Sequence, residues 1–263
     1  MVVPRKSWLT SLIIFIIWVI VVVGGGLLQV KWQHTKLADL VKNQVIFGVI
    51  VAMVFLTGVI TYLKWWPRVG WKGPNNLGDL LLLCPPALFR LSTSLLVLFT
   101  GLPSIRVLMI VIINTLMVGI REELMFRGIL FHGISSSFGI WRAVWSTAII
   151  FGAVHTFNSF ITGDFNASIL QAFFAFMFGI YIAALRVRLD TIIPGIIFHW
   201  LWDCLAFLII LTNFLWEMAL LPLSMILVIH GLWLLRRCSW LGSSIRFKSY
   251  FLLLLSYLNL FYQ

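Results

Sequence analysis

The sequence predicts an all-α protein, a polytopic membrane bundle of about eight transmembrane helices. Hydrophobic residues make up 62% of the 263 positions and mean hydropathy is +1.06, well beyond the roughly half-apolar composition of soluble domains. The apolar residues fall into runs near the roughly 20 residues that a spanning helix needs. The gaps between the runs hold most of the Lys and Arg, together with Gly and Pro clusters. No internal repeat, low-complexity tract or soluble domain interrupts the pattern, so 1–263 reads as a single integral-membrane domain.

The first run, Trp8 to Leu28, follows Pro4, Arg5 and Lys6. It exceeds a signal-peptide core and no A-x-A-like site follows it, so it reads as an uncleaved membrane helix. Val41 to Leu63 is the second span. Lys64 to Pro74, rich in Trp, Lys, Gly and Pro, suits a membrane interface. Leu80 to Phe99 is the third span, expected to kink at Pro85 and Pro86 and carrying Arg90 in mid-segment. Ile105 to Leu130 is the fourth. Gly133 to Gly139, with three serines between its glycines, reads as a tight turn. Trp141 to Phe157 and Ile169 to Leu185 are the fifth and sixth. The seventh, Ile193 to Leu211, is opened by Pro194, where proline is tolerated at a helix start. Met218 to Leu235 is the eighth, and Phe251 to Tyr262 is too short to span.

The net charge of +11 would raise nucleic acid as a partner in a soluble chain. Here the basic residues lie between apolar runs and no aromatic-basic binding motif appears, so they read as topology signals. With the N-terminus inside, the inner segments hold twelve basic residues: Arg5, Lys6, Lys64, Arg68, Lys72, Arg142, Arg186, Arg188, Arg236, Arg237, Arg246 and Lys248. The outer loops hold four: Lys31, Lys36, Lys42 and Arg106. Both termini are therefore expected in the cytoplasm, and the membrane is the cell membrane if the source is bacterial. Cys84, Cys204 and Cys238 show neither metal-type nor disulfide-type spacing.

Charge inside the fourth run demands a physical reason. A charged side chain near the bilayer centre costs roughly 2.5–3.5 kcal/mol on insertion scales. Glu123 and Arg127 are i and i+4 on a helix, the spacing and order at which a carboxylate and a guanidinium pair well. Glu122, rotated by about 100° on the wheel, is left for another partner. A structural ion pair thus accounts for Glu123 and Arg127 and leaves Glu122 over.

Two further polar pairs share helix faces: Phe151 with His155 on the fifth span, and His199 with Asp203 on the seventh. At about 1.5 Å of rise per residue, Glu122, His155, His199 and Asp203 all fall roughly 14–25 Å above the inner ends of their helices. They can meet near mid-membrane. Arg90, at about 17 Å on the third span, either offsets one of the carboxylates, or snorkels to an interface or caps carbonyls freed by Pro85 and Pro86.

Glu122-Glu123-x-x-x-Arg127, Phe151-x-x-x-His155 and His199-x-x-x-Asp203, in this order on successive apolar spans, resemble the three-motif signature of the CPBP family of CAAX proteases and bacteriocin-processing enzymes, also called Abi. The resemblance covers about 105–211, and Phe126, Gly128 and Leu130 fit the usual surroundings of its first motif. It implies a glutamate-dependent intramembrane endopeptidase whose site opens to the cytoplasm and which acts on a membrane-tethered peptide or protein. Carried over, Glu122 is the general base, His155 helps hold the water, and His199 with Asp203 form the oxyanion side. Glu123, Arg127 and Phe151 are structural. Where the family has Asn in place of Asp203, an amide donates directly, which an ionised Asp cannot. Asp203 is therefore expected to orient His199 and keep it protonated, or to be protonated itself.

The resemblance implies no cofactor. The alternatives on the residues alone are a zinc hydrolase using the His and Glu side chains as ligands, a proton-coupled carrier, and a non-catalytic immunity or partner-binding membrane protein. Membrane lipid is a partner in every case, and oligomeric state is not legible.

Overall fold

The computed structural model describes residues 7–211 and 217–236, and within them every regular element is helical. Four helices are long and apolar enough to cross a membrane: α1 (Ser7–Gln29), Ile140–Thr162, α9 (Phe165–Leu189) and α10 (Ile193–Leu211). A fifth arises if α2 (Leu37–Asn43) and α3 (Phe47–Tyr62), bent by 79° at their junction, count as one broken span. The chain is an integral membrane protein. The expected count of eight is not reached by this measure, because the remaining apolar runs are shortened or carry charge. Arg5, Lys6, Arg237, Cys238, Arg246, Lys248 and the run from Phe251 lie outside the described residues.

The third run differs from its expectation at its start. Leu77–Leu83 winds as a 3₁₀ helix, and only then does α4 (Cys84–Thr100) begin, with proline in its first turn. Pro85 and Pro86 open this helix rather than kink it, because their missing N–H groups fall where no intrahelical partner exists. Arg90 does not snorkel: it is 5% exposed.

The fourth run continues well past its expected end. α5 (Ile105–Glu123) passes into a π-helical segment, Leu124–Leu130, and then into α6 (Phe131–Phe138). Arg121, Glu122 and Glu123 at the end of α5 are what disqualify it as a simple apolar span. π geometry displaces carbonyls from the ordinary i→i−4 ladder, and two of them find side-chain donors elsewhere. Ser11 Oγ donates to Ile129 O at 2.9 Å and Arg186 Nε to Arg127 O at 3.3 Å.

The stretch from Gly133 to Gly139 is mostly helix rather than turn. Ser135 and Ser136 donate back to His132 O and Gly133 O, and Ser7 meets Ser136 at 2.6 Å. The hydroxyls thereby satisfy the helix end, and only Gly139, at φ 90°, makes the reversal. The chain then runs through α7 (Ile140–Val154), a 3₁₀ turn (His155–Asn158) and α8 (Ser159–Thr162). α11 (Glu217–Arg236) closes the described chain against α9, which also packs on α7, while α10 packs on α5 and α1 on α3 and α6.

The Trp-rich connection after α3 is docked rather than lying loosely at an interface. Val69 is fully buried and Trp65 is 6% exposed. Gly70, at φ +79°, abuts the Arg186 guanidinium where a Cβ would sit 2.8 Å from it, and its carbonyl accepts from Ile192 N at 3.0 Å. Lys72 pairs with Asp190 at 2.5 Å, Arg186 pairs with Asp190 at 3.0 Å, and Thr191 donates to the Lys72 carbonyl. Burial opposes charge on Asp190, yet the hydrogen bonds from Lys72 and Arg186 hold its carboxyl below the usual carboxylate range. This clamp closes the end of the bundle on which α1 begins.

Candidate active site

Gly119 sets the frame of the site. A Cβ there would lie 3.3 Å from Ile196 O and 3.2 Å from Trp200 N, so its absence lets α10 lie close against α5. One turn later the two helices present their polar residues to each other. His199, 3% exposed, places Nδ1 2.8 Å from Glu123 Oε1. Its Nε2 lies 3.5 Å from Asp203 Oδ2 and 3.8 Å from Glu122 Oε2. Each ring nitrogen of His199 therefore faces carboxylate oxygen.

The two glutamates have different partners. Glu123 and Arg127 pair at 3.1 Å with both side chains fully buried, and Arg127 also donates to Gly179 O at 3.3 Å. This pair agrees with the i,i+4 expectation. Glu122 is not left over: Arg121 Nη2 reaches its Oε1 at 2.8 Å. Arg121 is the residue of the candidate site that the sequence did not single out, although it adjoins Glu122 and is a further charge in the same apolar run. Its guanidinium lies 5.4 Å over the Trp18 ring, and its Nε and Nη1 have no hydrogen-bond partner among the described residues. The same holds for Glu122 Oε2.

Phe151 is the packing hub. Its ring meets Phe126 at 4.9 Å, His155 at 4.9 Å and His199 at 5.8 Å, edge to face in each case, and the Arg127 guanidinium covers it at 4.4 Å. One residue thus fixes both histidines and a cation–π contact. His155 Nδ1 lies 2.7 Å from Phe151 O. A carbonyl only accepts, so Nδ1 carries the hydrogen, and in the neutral ring Nε2 is left as an acceptor. Arg90 donates to Trp202 O at 2.9 Å and lies 4.9 Å over the Trp202 ring, within electrostatic range of neighbouring Asp203. Three guanidinium groups, from Arg90, Arg121 and Arg127, thus stand against the carboxylates of Glu122, Glu123 and Asp203.

Beside this cluster lies a cavity of about 170 Å³, onto which Arg121, Glu122, His155 and Asp203 open, whereas Glu123, Arg127 and His199 stand behind its wall. Its other walls come from α1, from α2 and the start of α3, and from Asn158, Ile161 and Gln171. Asn114, fully buried one helical segment above Glu122, holds the elbow between α2 and α3: it donates to Val41 O and Gln44 O at 2.8 Å each and accepts from Ile46 N at 3.0 Å. Truncating Asn114→Ala strands three buried backbone groups. A loss of about 1–3 kcal/mol per unsatisfied group is expected, read as a lowered unfolding midpoint in detergent.

The residues that line the cavity belong to the later halves of α1 and α10, from Trp18 and Asp203 onward. Among the described residues no three His, Cys, Asp or Glu side chains converge as a metal-binding group. No curated protein and no solved structure matches the chain. Residues 104–205, which carry Glu122, Glu123, Arg127, Phe151, His155, His199 and Asp203, match the family described as type II CAAX prenyl endopeptidase Rce1-like, so over this segment the chain is similar to that family.

Proposed function

We propose that this protein is an intramembrane endopeptidase that hydrolyses a peptide bond of a membrane-associated peptide or protein with water activated by Glu122. The observation that carries the reading is the pairing of unlike glutamates: Glu123 is locked behind the cavity wall by Arg127 and His199, while Glu122 lines the cavity and one of its carboxylate oxygens has no hydrogen-bond partner among the described residues. The Rce1-like match over the same residues supports the protease class.

In this mechanism Glu122 takes a proton from water as the water oxygen attacks the scissile carbonyl carbon. His155 Nε2, the free acceptor of its ring, accepts the water's second hydrogen and so aims the attack. The tetrahedral oxyanion is met by donors on the opposite side, a role for Arg121, which lines the cavity and has N–H groups without a hydrogen-bond partner among the described residues. His199, bracketed by Glu123 and Asp203, acts through them, with Asp203 orienting it. Glu122 then returns its proton to the leaving nitrogen, the C–N bond breaks, and a carboxylic acid and an amine result. Carboxylates and imidazoles suffice for these steps, so no metal is invoked; the Arg–carboxylate pairing and the His199 contacts leave these side chains engaged with one another rather than turned to a common centre. The remaining apolar runs, α4, the helix over 105–138 and α11, complete a bundle of about eight spans.

The test is cleavage of a quenched fluorogenic library of apolar peptides by the purified protein in proteoliposomes, with products read by mass spectrometry. Replacing His155 or His199 with Ala is expected to slow turnover by roughly 10²–10³, the scale of losing one preorganised polar group at a reacting centre. Wild-type rates in both variants would remove the histidines from the mechanism.

A further inference from the structure

We infer that Arg90, which none of the three motifs contains, is a positioning residue of the site. From α4 it compensates the Asp203 carboxylate and anchors Trp202, and through these two residues it fixes the His199 ring against Glu122 and Glu123. Arg90 is not among the residues that line the cavity, so it acts on the reacting groups only through α10.

Burial forces a partner on it. Arg90 is 5% exposed on an apolar helix, where a guanidinium persists only when paired or hydrogen-bonded. Three guanidiniums and three carboxylates stand at the site, and two pairs are closed by contact: Arg121 with Glu122 at 2.8 Å and Arg127 with Glu123 at 3.1 Å. The members that remain are Arg90 and Asp203. They are neighbours, because Arg90 Nη2 donates at 2.9 Å to the carbonyl of Trp202, the residue before Asp203, and its charge acts on the Asp203 carboxylate. Arg121 also acts on Asp203, but its hydrogen bond goes to Glu122. Asp203 in turn places Oδ2 3.5 Å from His199 Nε2. A carboxylate drawn off that line leaves Nε2 facing Glu122 alone, at 3.8 Å.

The second route is packing. The Arg90 guanidinium lies 4.9 Å over the Trp202 ring, a cation–π contact that strengthens where water is absent. That ring meets Phe178 at 5.2 Å, and Phe178 meets the His199 ring at 4.9 Å. Trp202 and Asp203 follow His199 by three and four residues, so all three project from one side of α10. Arg90 holds that side from α4 through a carbonyl, a ring and a carboxylate together.

The experiment is a double-mutant cycle on the purified full chain: Arg90→Met, Asp203→Asn and both together, with Arg90→Lys beside them. Turnover and KM are measured for peptide cleavage in proteoliposomes, and unfolding midpoints in one detergent. The turnover arm rests on the endopeptidase reading; the midpoints do not. Arg90→Met is expected to lower kcat roughly tenfold, within the range of coupling between contacting groups, with KM unchanged because Arg90 touches no substrate. Arg90→Lys, which keeps the charge, recovers part of the loss. Asp203→Asn strands the guanidinium and lowers the midpoint. Adding Arg90→Met then raises it, since no buried charge is left unpaired, and costs no further turnover. A guanidinium that merely fills space or caps a carbonyl gives additive losses instead, the same from Arg90→Met in both backgrounds. That result overturns the proposal, as does wild-type kcat in Arg90→Met. Should Arg90→Met fail to accumulate in the membrane, accumulation of the double variant upholds the pair and its failure overturns it. Should even the wild type cleave no peptide, the endopeptidase reading falls, and the midpoints alone decide whether Arg90 and Asp203 act as a pair.

Discussion

Glu122→Gln abolishes hydrolysis while the protein still accumulates in the membrane. The amide keeps the size of the carboxylate and can still accept from Arg121, so the ion pair at 2.8 Å is replaced by a hydrogen bond and the helix is not disturbed. What is lost is the carboxylate basicity of a residue that lines the cavity. A positioned general base contributes roughly 10²–10⁴ in rate, and without it the water has no acceptor of comparable strength beside the scissile bond. Glu123→Gln acts differently, because Glu123 touches no cavity space: its effect falls first on stability and on the placement of His199. Turnover measured beside membrane abundance separates the two. Near wild-type turnover in Glu122→Gln would end its assignment as the base.

Arg127→Met is expected to be the most destabilising single change in the chain. Both members of the Glu123–Arg127 pair are fully buried, and removing one partner of such a pair costs about 3–5 kcal/mol because the other charge stays behind unpaired. Arg127 also covers Phe151 and reaches Gly179 O, so α5, α7 and α9 loosen together. The double variant Glu123→Gln with Arg127→Met recovers much of this loss, since an uncharged pair of similar volume removes the stranded carboxylate. Unfolding midpoints of the two variants in the same detergent check this. An Arg127→Met protein as stable as wild type would show that the pair holds nothing together.

Much of the site was legible because intramembrane charge is rare and needs partners. The i,i+4 spacing of Glu123 and Arg127, the shared faces of Phe151 with His155 and of His199 with Asp203, and a depth estimate from helix rise point to residues that the structure does hold side by side. Arg121 escaped because attention to i,i+4 partners passes over an adjacent residue, and the Arg121–Glu122 contact joins neighbours in sequence. Asn114 escaped for a different reason: its partners are backbone groups at 41–46, and no side-chain pattern announces them.

The fold was less legible where backbone geometry departs from a straight α-helix. Seven residues of π helix carry the fourth run beyond Leu130, which hydropathy cannot reveal. The serines at 135–137 resemble a turn by composition, yet the hydroxyls of Ser135 and Ser136 bond back to the helix. The sharp bend between α2 and α3 lies inside an apolar run, and it is fixed by Asn114 from another helix. Arg90 was left between two readings by sequence. Its burial and its bond to Trp202 O remove the snorkelling alternative and place it beside the Asp203 segment.

Whether carboxylate and imidazole act without an ion is the centre of this account. The purified protein is dialysed exhaustively against a chelator, its residual zinc is quantified, and its rate of peptide cleavage is compared with that of the undialysed protein. The account predicts an unchanged rate at negligible metal content. Loss of cleavage on chelation, its return with added zinc, and stoichiometric metal that disappears in His155→Ala would contradict it, and Glu122 would then be a ligand or the base beside a metal-bound water.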